Sequence, residues 1–226
     1  VTWEPLELSL QIATIAMVLS LLVGTAIALL LGWRKLPARD LVDAIVSAPL
    51  VLPPTVLGYY LFTALAPDTV IGRAWHWLTG TNIVFTFTGA VIAATVGSLP
   101  LVVRTVRVGL DSVEPNLINA ARTLGASPAR VLVTVTLPLA GPGIAAGAML
   151  GFARALGDYG ITQVVASTHI DGIGIKHTSP ASIYMYDQFI GGHGDAAIGM
   201  AIATTIVGVA ILYAANRLTR RLTSRG

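Results

Sequence analysis

The sequence predicts an all-α membrane protein of about five transmembrane helices, its N-terminus outside, its C-terminus in the cytoplasm, and a two-helix loop on the cytoplasmic side. Three observations predict it. Of the 226 residues, 54% are apolar and 11% charged, whereas coating a water-facing surface usually takes about 25% charged. The charges are spaced so that several stretches of roughly 20 residues carry none, the length a helix needs to cross hydrocarbon. Finally, Lys and Arg gather in alternate loops, as they do where those loops face the cytoplasm.

Residues 1–226 read as one transmembrane domain. The first span is placed at 8–33: Leu8 to Trp33 is uncharged and, at about 1.5 Å per residue, long enough to cross with some tilt. It is too long for a cleaved signal peptide and has no basic region before it. The second span, 41–66, is entered at Asp40 and Asp43 and left at Pro67-Asp68. Its Pro49, Pro53 and Pro54 lack an N–H, so this span is expected to kink or break, and such openings line cavities when they belong to a pathway. The third, 84–106, follows the turn signal Thr79-Gly80-Thr81-Asn82. The fourth, 141–166, contains Arg154 and Asp158, four residues apart on one face of the expected helix. The plain reading is an intrahelical ion pair; the sharper one is that Arg154 lends positive potential to an anion pathway. The fifth span, 196–216, carries no charge.

The loops fix the threading. Arg34, Lys35 and Arg39 lie between spans one and two; Arg104, Arg107, Arg122 and Arg130 lie between three and four; Arg217, Arg220, Arg221 and Arg225 follow span five. The opposite side has Arg73 and Lys176. Five spans put all the basic loops on one face, so the formal charge of +3 reads as topology rather than as a nucleic-acid surface, which would interleave aromatics with the cations. The external loop, 168–195, holds His169, His177, His193, Asp171, Asp187 and Asp195, whose spacing fits no metal-ligand pattern. It is expected to be solvated and to dock a partner. There is no cysteine, hence no disulfide and no Cys-ligated metal.

The loop at 111–138 is different in kind. It reads as two short helices with a turn between them: Ser112 is expected to cap the first, Gly125 to end it at positive φ, and Ser127-Pro128 to start the second. Ala120 and Ala121, flanked by Leu117 and Leu124, leave a thin helical surface around which another protein's groove can close. An Ala-rich connector between spans is the plain alternative.

This segment resembles the EAA loop of ABC importer permeases, in which an acidic residue, Ala-Ala, a Gly and a later Leu-Pro recur. The corresponding residues are Glu114, Ala120, Ala121, Gly125, Leu137 and Pro138, with Glu114 further from the alanines than in the strict form. Similarity to the molybdate permeases of the type I importers extends to Pro49-Leu50-Val51-Leu52-Pro53-Pro54-Thr55-Val56-Leu57-Gly58-Tyr59, to Leu99-Pro100-Leu101-Val102-Val103-Arg104-Thr105-Val106-Arg107, and to Phe152-Ala153-Arg154-Ala155-Leu156-Gly157-Asp158-Tyr159-Gly160. The last of these has Asp158-Tyr159 where the family has an acidic-aromatic pair in Gly-Glu-Phe-Gly. The resemblance implies a multi-pass subunit in a prokaryotic cell membrane, working by alternating access as a homodimer. Its implied partners are a second permease copy, two ATPase subunits on the Ala120-Ala121 helices and an extracytoplasmic substrate-binding protein, and its implied cargo is molybdate or tungstate. No Gly-x-x-x-x-Gly-Lys-Ser/Thr motif is present, so this chain carries no catalytic residue for ATP and no cofactor of its own, and ATP and Mg fall to the partner ATPase. Sulfate or thiosulfate is the neighbouring cargo. An ATP-independent transporter or channel, or a scaffold without transport, would share the spans but have no use for the two-helix loop.

Overall fold

The computed structural model describes residues 3–32, 38–166, 170–173 and 175–223, the last range by its backbone alone over 175–177 and 218–223. Arg34, Lys35, His169 and the C-terminal Arg225 lie outside the described residues. Three long helices make the centre: α1 (Glu4–Gly32), α5 (Phe87–Asp111) and α9 (Gly141–Leu156). They pack because small residues let their axes close in. A Cβ on Gly109 would fall 2.7 Å from the Cα of Gly143, so α5 and α9 touch backbone to backbone there. Gly147 meets Val106, and Gly151 meets Val102 and Ser20 of α1. Gly143, Gly147 and Gly151 form a four-residue repeat, the small-xxx-small stripe that membrane helices use because apolar side chains gain little by leaving lipid for one another.

The same neighbours give the directions. Near one end Leu8, Ile12, Ala13 and Ala16 pack with Ala90, Val91 and Ala94, and near the other Ala28 and Leu31 pack with Val102, Val103 and Val106. Hence α1 and α5 run parallel, while α9, pairing 143 with 109 and 151 with 102, runs against both.

The second predicted span is not one helix. α2 (Arg39–Val51) and α3 (Pro54–Leu65) meet at 117°. The break falls at Leu52-Pro53: Leu52 is extended with ψ of 138°, the conformation that a following proline demands, and Pro54 opens α3. Pro49, expected to disrupt the helix with the other two, sits inside α2, near enough to its end that the lost bond is tolerated. α4 (Val70–Thr79) then occupies part of what reads in the sequence as a connector. Thr69 caps it, accepting from the Gly72 N–H at 3.0 Å while donating to Ala66 at 2.8 Å.

The fourth predicted span is also interrupted. α9 stops at Leu156, and α10 (Gly160–Ala166) is a separate piece that packs on α3 and α5. Before α9 lie α6 (Pro115–Thr123), α7 (Pro128–Val131), a π-helical turn (Leu132–Thr136) and α8 (Leu137–Leu139), and the stretch Pro128–Leu139 meets α9 at 67°. The region expected as a solvated external loop is built: β1 (Ile170–Gly172) and β2 (Ile175–Thr178) form an antiparallel hairpin, followed by α11 (Ala181–Ile190). Gln11 of α1 clasps the hairpin turn through both the N–H and the C=O of Ile173. α12 (Gly194–Thr223) closes the chain, packed mainly on α11 with a flank against α9. Among the described residues three helices are long and apolar enough to cross a membrane, or five if each bent pair counts as one span.

Candidate functional site

Two places bring the candidate residues together. The first is α6. Pro115 opens it without a side-chain cap from Glu114, and Ser112, expected to cap it, instead closes α5 by donating to Gly109 at 2.7 Å. The reason is spacing: Pro115 fixes the first helical residue, leaving Glu114 as the flanking position. Its end follows the expectation in detail. Gly125 has φ of 84°, its N–H donates to Arg122 at 2.9 Å, and the Ala126 N–H donates to Ala121 at 3.1 Å. These two bonds make a Schellman cap. Ser127 then caps α7 by accepting from the Arg130 N–H.

α6 has no buried residue. Leu117 and Ala120 are exposed, Ala121 is half-buried, and Leu124 is 88% exposed, beside a Gly125 with open space around its Cα. The helix projects from the end of α5, the end at which Arg107 lies 3.7 Å from Asp43 of α2 and Arg104 donates to Ser47 at 3.0 Å. An exposed helix with an apolar rim and an alanine centre, opened by Pro115 and closed by the Schellman cap at Gly125, stands as a knob that buries no residue against the described rest of the chain.

The second place is the pair of helix breaks. Arg154, in the last turn of α9, donates to Asp158 at 2.8 Å. The pair is real, but its geometry is not that of one continuous helix. Asp158 lies in the break after α9, and its second oxygen accepts from the Thr162 N–H at 2.9 Å and hydroxyl at 2.7 Å in α10. Ser182 of α11 donates to the Asp158 C=O at 2.8 Å. One carboxylate, its side chain 2% exposed, thus ties α9 to α10, and its backbone ties in α11. Arg154 remains 30% exposed and lies over Gly97 of α5, where a Cβ would meet its guanidinium nitrogen at 3.6 Å.

Alongside, the second break faces the first. A Cβ on Gly160 would touch Pro54, and one on Gly58 would touch Ile161 and Val164. α3 and α10 therefore run parallel with their N-terminal ends together, and Pro53 and Pro54 stand beside the Asp158 cluster. The structure thus gathers Arg154, Asp158, Pro53 and Pro54 and leaves Pro49 apart, inside α2. The sequence reading missed Thr162, Ser182 and Gly97. A hydroxyl four residues beyond Asp158 was the available signal for the first; Ser182 comes from a distant helix and carried none. Among the described residues no three His, Cys, Asp or Glu side chains gather as a metal site, and His169 and the His177 side chain are not among them.

A permease is the class this arrangement fits: a helical bundle with two interrupted spans meeting inside and a free helical knob at one end. The chain belongs to the family of binding-protein-dependent transport system inner membrane components, whose profile matches residues 10–225. It is 40% identical over 212 residues to the molybdenum transport system permease protein ModB of Escherichia coli (strain K12), covering 93% of this chain and 90% of that one. It is 37% identical over 171 residues to a probable sulfate transport system permease protein of Anthoceros angustus, covering 74% of this chain and 59% of that one. The fold matches a chain of the inward-facing MetNI methionine ABC transporter with a TM-score of 0.75 at 19% identity, covering 97% and 96% of the two chains.

Proposed function

We propose that this chain is the pathway-forming subunit of an ATP-driven importer for molybdate or tungstate, working as a homodimer with two ATPase subunits and an extracytoplasmic binding protein. The observation that carries the coupling is α6, a helix closed by a Schellman cap that buries none of its residues, with Leu117, Ala120, Leu124 and Gly125 exposed and Ala121 half-buried among the described residues. Glu114 and Ser127 bound it at either end. Energy arrives by a groove of the ATPase, which holds ATP and Mg, closing on that helix. The cargo reading rests on the 40% identity to the E. coli molybdenum permease across nine-tenths of both chains.

Alternating access follows from rocking the two halves of the dimer, with the break cluster at the pathway. There Arg154 offers an anion a guanidinium that stays 30% exposed while it is paired with Asp158 at 2.8 Å. The orientation is N-terminus outside and C-terminus in the cytoplasm, supported by Arg39, Arg104, Arg107, Arg122, Arg130 and Arg217 on one side of the parity that α1, α5 and α9 display.

The test has two stages. The chain is copurified with its ATPase and reconstituted with the binding protein; ATP-dependent uptake is expected, and its absence with all partners present sinks the importer reading. The binding protein is then titrated with molybdate, tungstate and sulfate. Selective sulfate binding would move the cargo to the neighbouring class, to which the Anthoceros relative's name belongs.

A further inference from the structure

α4 has three faces, and only one is accounted for by the bundle. Gly72 is buried against the Ala66 carbonyl, and Trp75 is half-buried on Leu65, Ile83 and Val84. Arg73 and His76 occupy a second face, both exposed. The third holds Val70, Ile71, Ala74, Trp77 and Leu78, the i, i+1, i+4, i+7, i+8 set that makes one continuous stripe at 3.6 residues per turn. None of the five is covered. Val70 is 75% exposed, Leu78 71% and Trp77 84%.

The height of α4 along the bundle is fixed. Thr69 bonds back to Ala64 and Ala66 at the end of α3. Ile83 and Val84, which touch Trp75, lead directly into the start of α5, a helix long enough to cross the bilayer. α4 therefore lies at the level where α5 enters the membrane, at the opposite end from α6. A helix pinned at that level with a bare aliphatic and tryptophan stripe, and a cationic flank, matches the interface of a phospholipid leaflet in both parts. The stripe suits the upper acyl chains, and Arg73 suits the phosphates.

We propose that α4 is an interfacial anchor: its Val70–Ile71–Ala74–Trp77–Leu78 stripe beds in the outer lipid leaflet and holds the external end of the broken span α2–α3 at a fixed depth. A soluble protein partner is disfavoured by the stripe itself, whose five side chains offer one polar group, the Trp77 indole N–H, too few to orient such a partner and suited to the wet edge of a leaflet.

The natural absence of cysteine makes the test direct. Single-cysteine variants Ile71→Cys, Leu78→Cys, Arg73→Cys and His76→Cys of the full chain, with its ATPase, are spin-labelled in vesicles of phosphatidylethanolamine and phosphatidylglycerol. Positions 71 and 78 are expected to collide with dissolved oxygen and to meet a water-soluble nickel chelate at least about fivefold less often than 73 and 76. As an independent reading, the chain carrying Trp3→Phe, Trp33→Phe and Trp75→Phe keeps Trp77 as its one tryptophan, and lipids brominated near the headgroup end of the chain should quench it. Equal access of the nickel chelate to all four positions overturns the anchor. So does shielding of 71 and 78 from both reagents, or shielding that appears only when the binding protein is added, since either result places protein on the stripe.

Discussion

Asp158 joins three helices, α9 and α10 through its carboxylate and α11 through its backbone carbonyl. It answers Arg154 with one oxygen and the start of α10 with the other, so its loss leaves a partly buried guanidinium and two donors unmet at once. Asp158→Ala is expected to destabilise the detergent-solubilised protein by about 3 kcal/mol, read as a lowered thermal midpoint. Arg154→Ala should cost less, because Asp158 keeps its Thr162 partners, yet should reduce uptake severalfold; unchanged expression together with unchanged uptake would remove Arg154 from the pathway. The seam between α5 and α9 is as sensitive for a different reason. No flexible side chain can yield where two backbones touch, so Gly143→Leu should cost upwards of 3 kcal/mol, whereas the same change at the open Gly141 should cost far less.

At the scale of elements, the loop helices were legible because caps are local chemistry: Gly125 and Ser127-Pro128 act within a few residues of themselves, and both behave as the sequence indicates. The broken spans were half legible. Three prolines announced an interruption, but which of them breaks the helix depends on what packs next to it, and Gly160 against Pro54 is a contact between segments a hundred residues apart. The end of α9 after Leu156 was missed, since Arg154 and Asp158, four residues apart, suit the face of one continuous helix as well as they suit a helix end and the break beyond it. The hairpin and α11 were lost to a rule of thumb, that polar residues and glycines mean loop; the Gln11 clasp that orders the hairpin comes from the other end of the chain. The Gly143, Gly147, Gly151 repeat was visible and unread. For α6 the expected outcome is specific: Ala121→Leu or Gly125→Val should lower ATP-driven uptake at least about tenfold while leaving the amount of protein in the membrane unchanged, measured in the same vesicles.

For the whole molecule, the parity of α1, α5 and α9 turns the charge pattern into a testable orientation. A cysteine introduced at Leu124 should react with an impermeant maleimide only in inside-out vesicles, and one at Arg73 only in right-side-out cells; the reverse pattern would invert the assignment. The bareness of α6 reaches beyond transport. A copy made in excess of its partner would hold up, in the cytosol, an unshielded leucine on the loop between α5 and α9, and that is the kind of handle a membrane-bound protease can seize. Subunit balance would then be kept by destruction, with cuts between 115 and 130 marking the orphans and the assembled copies spared.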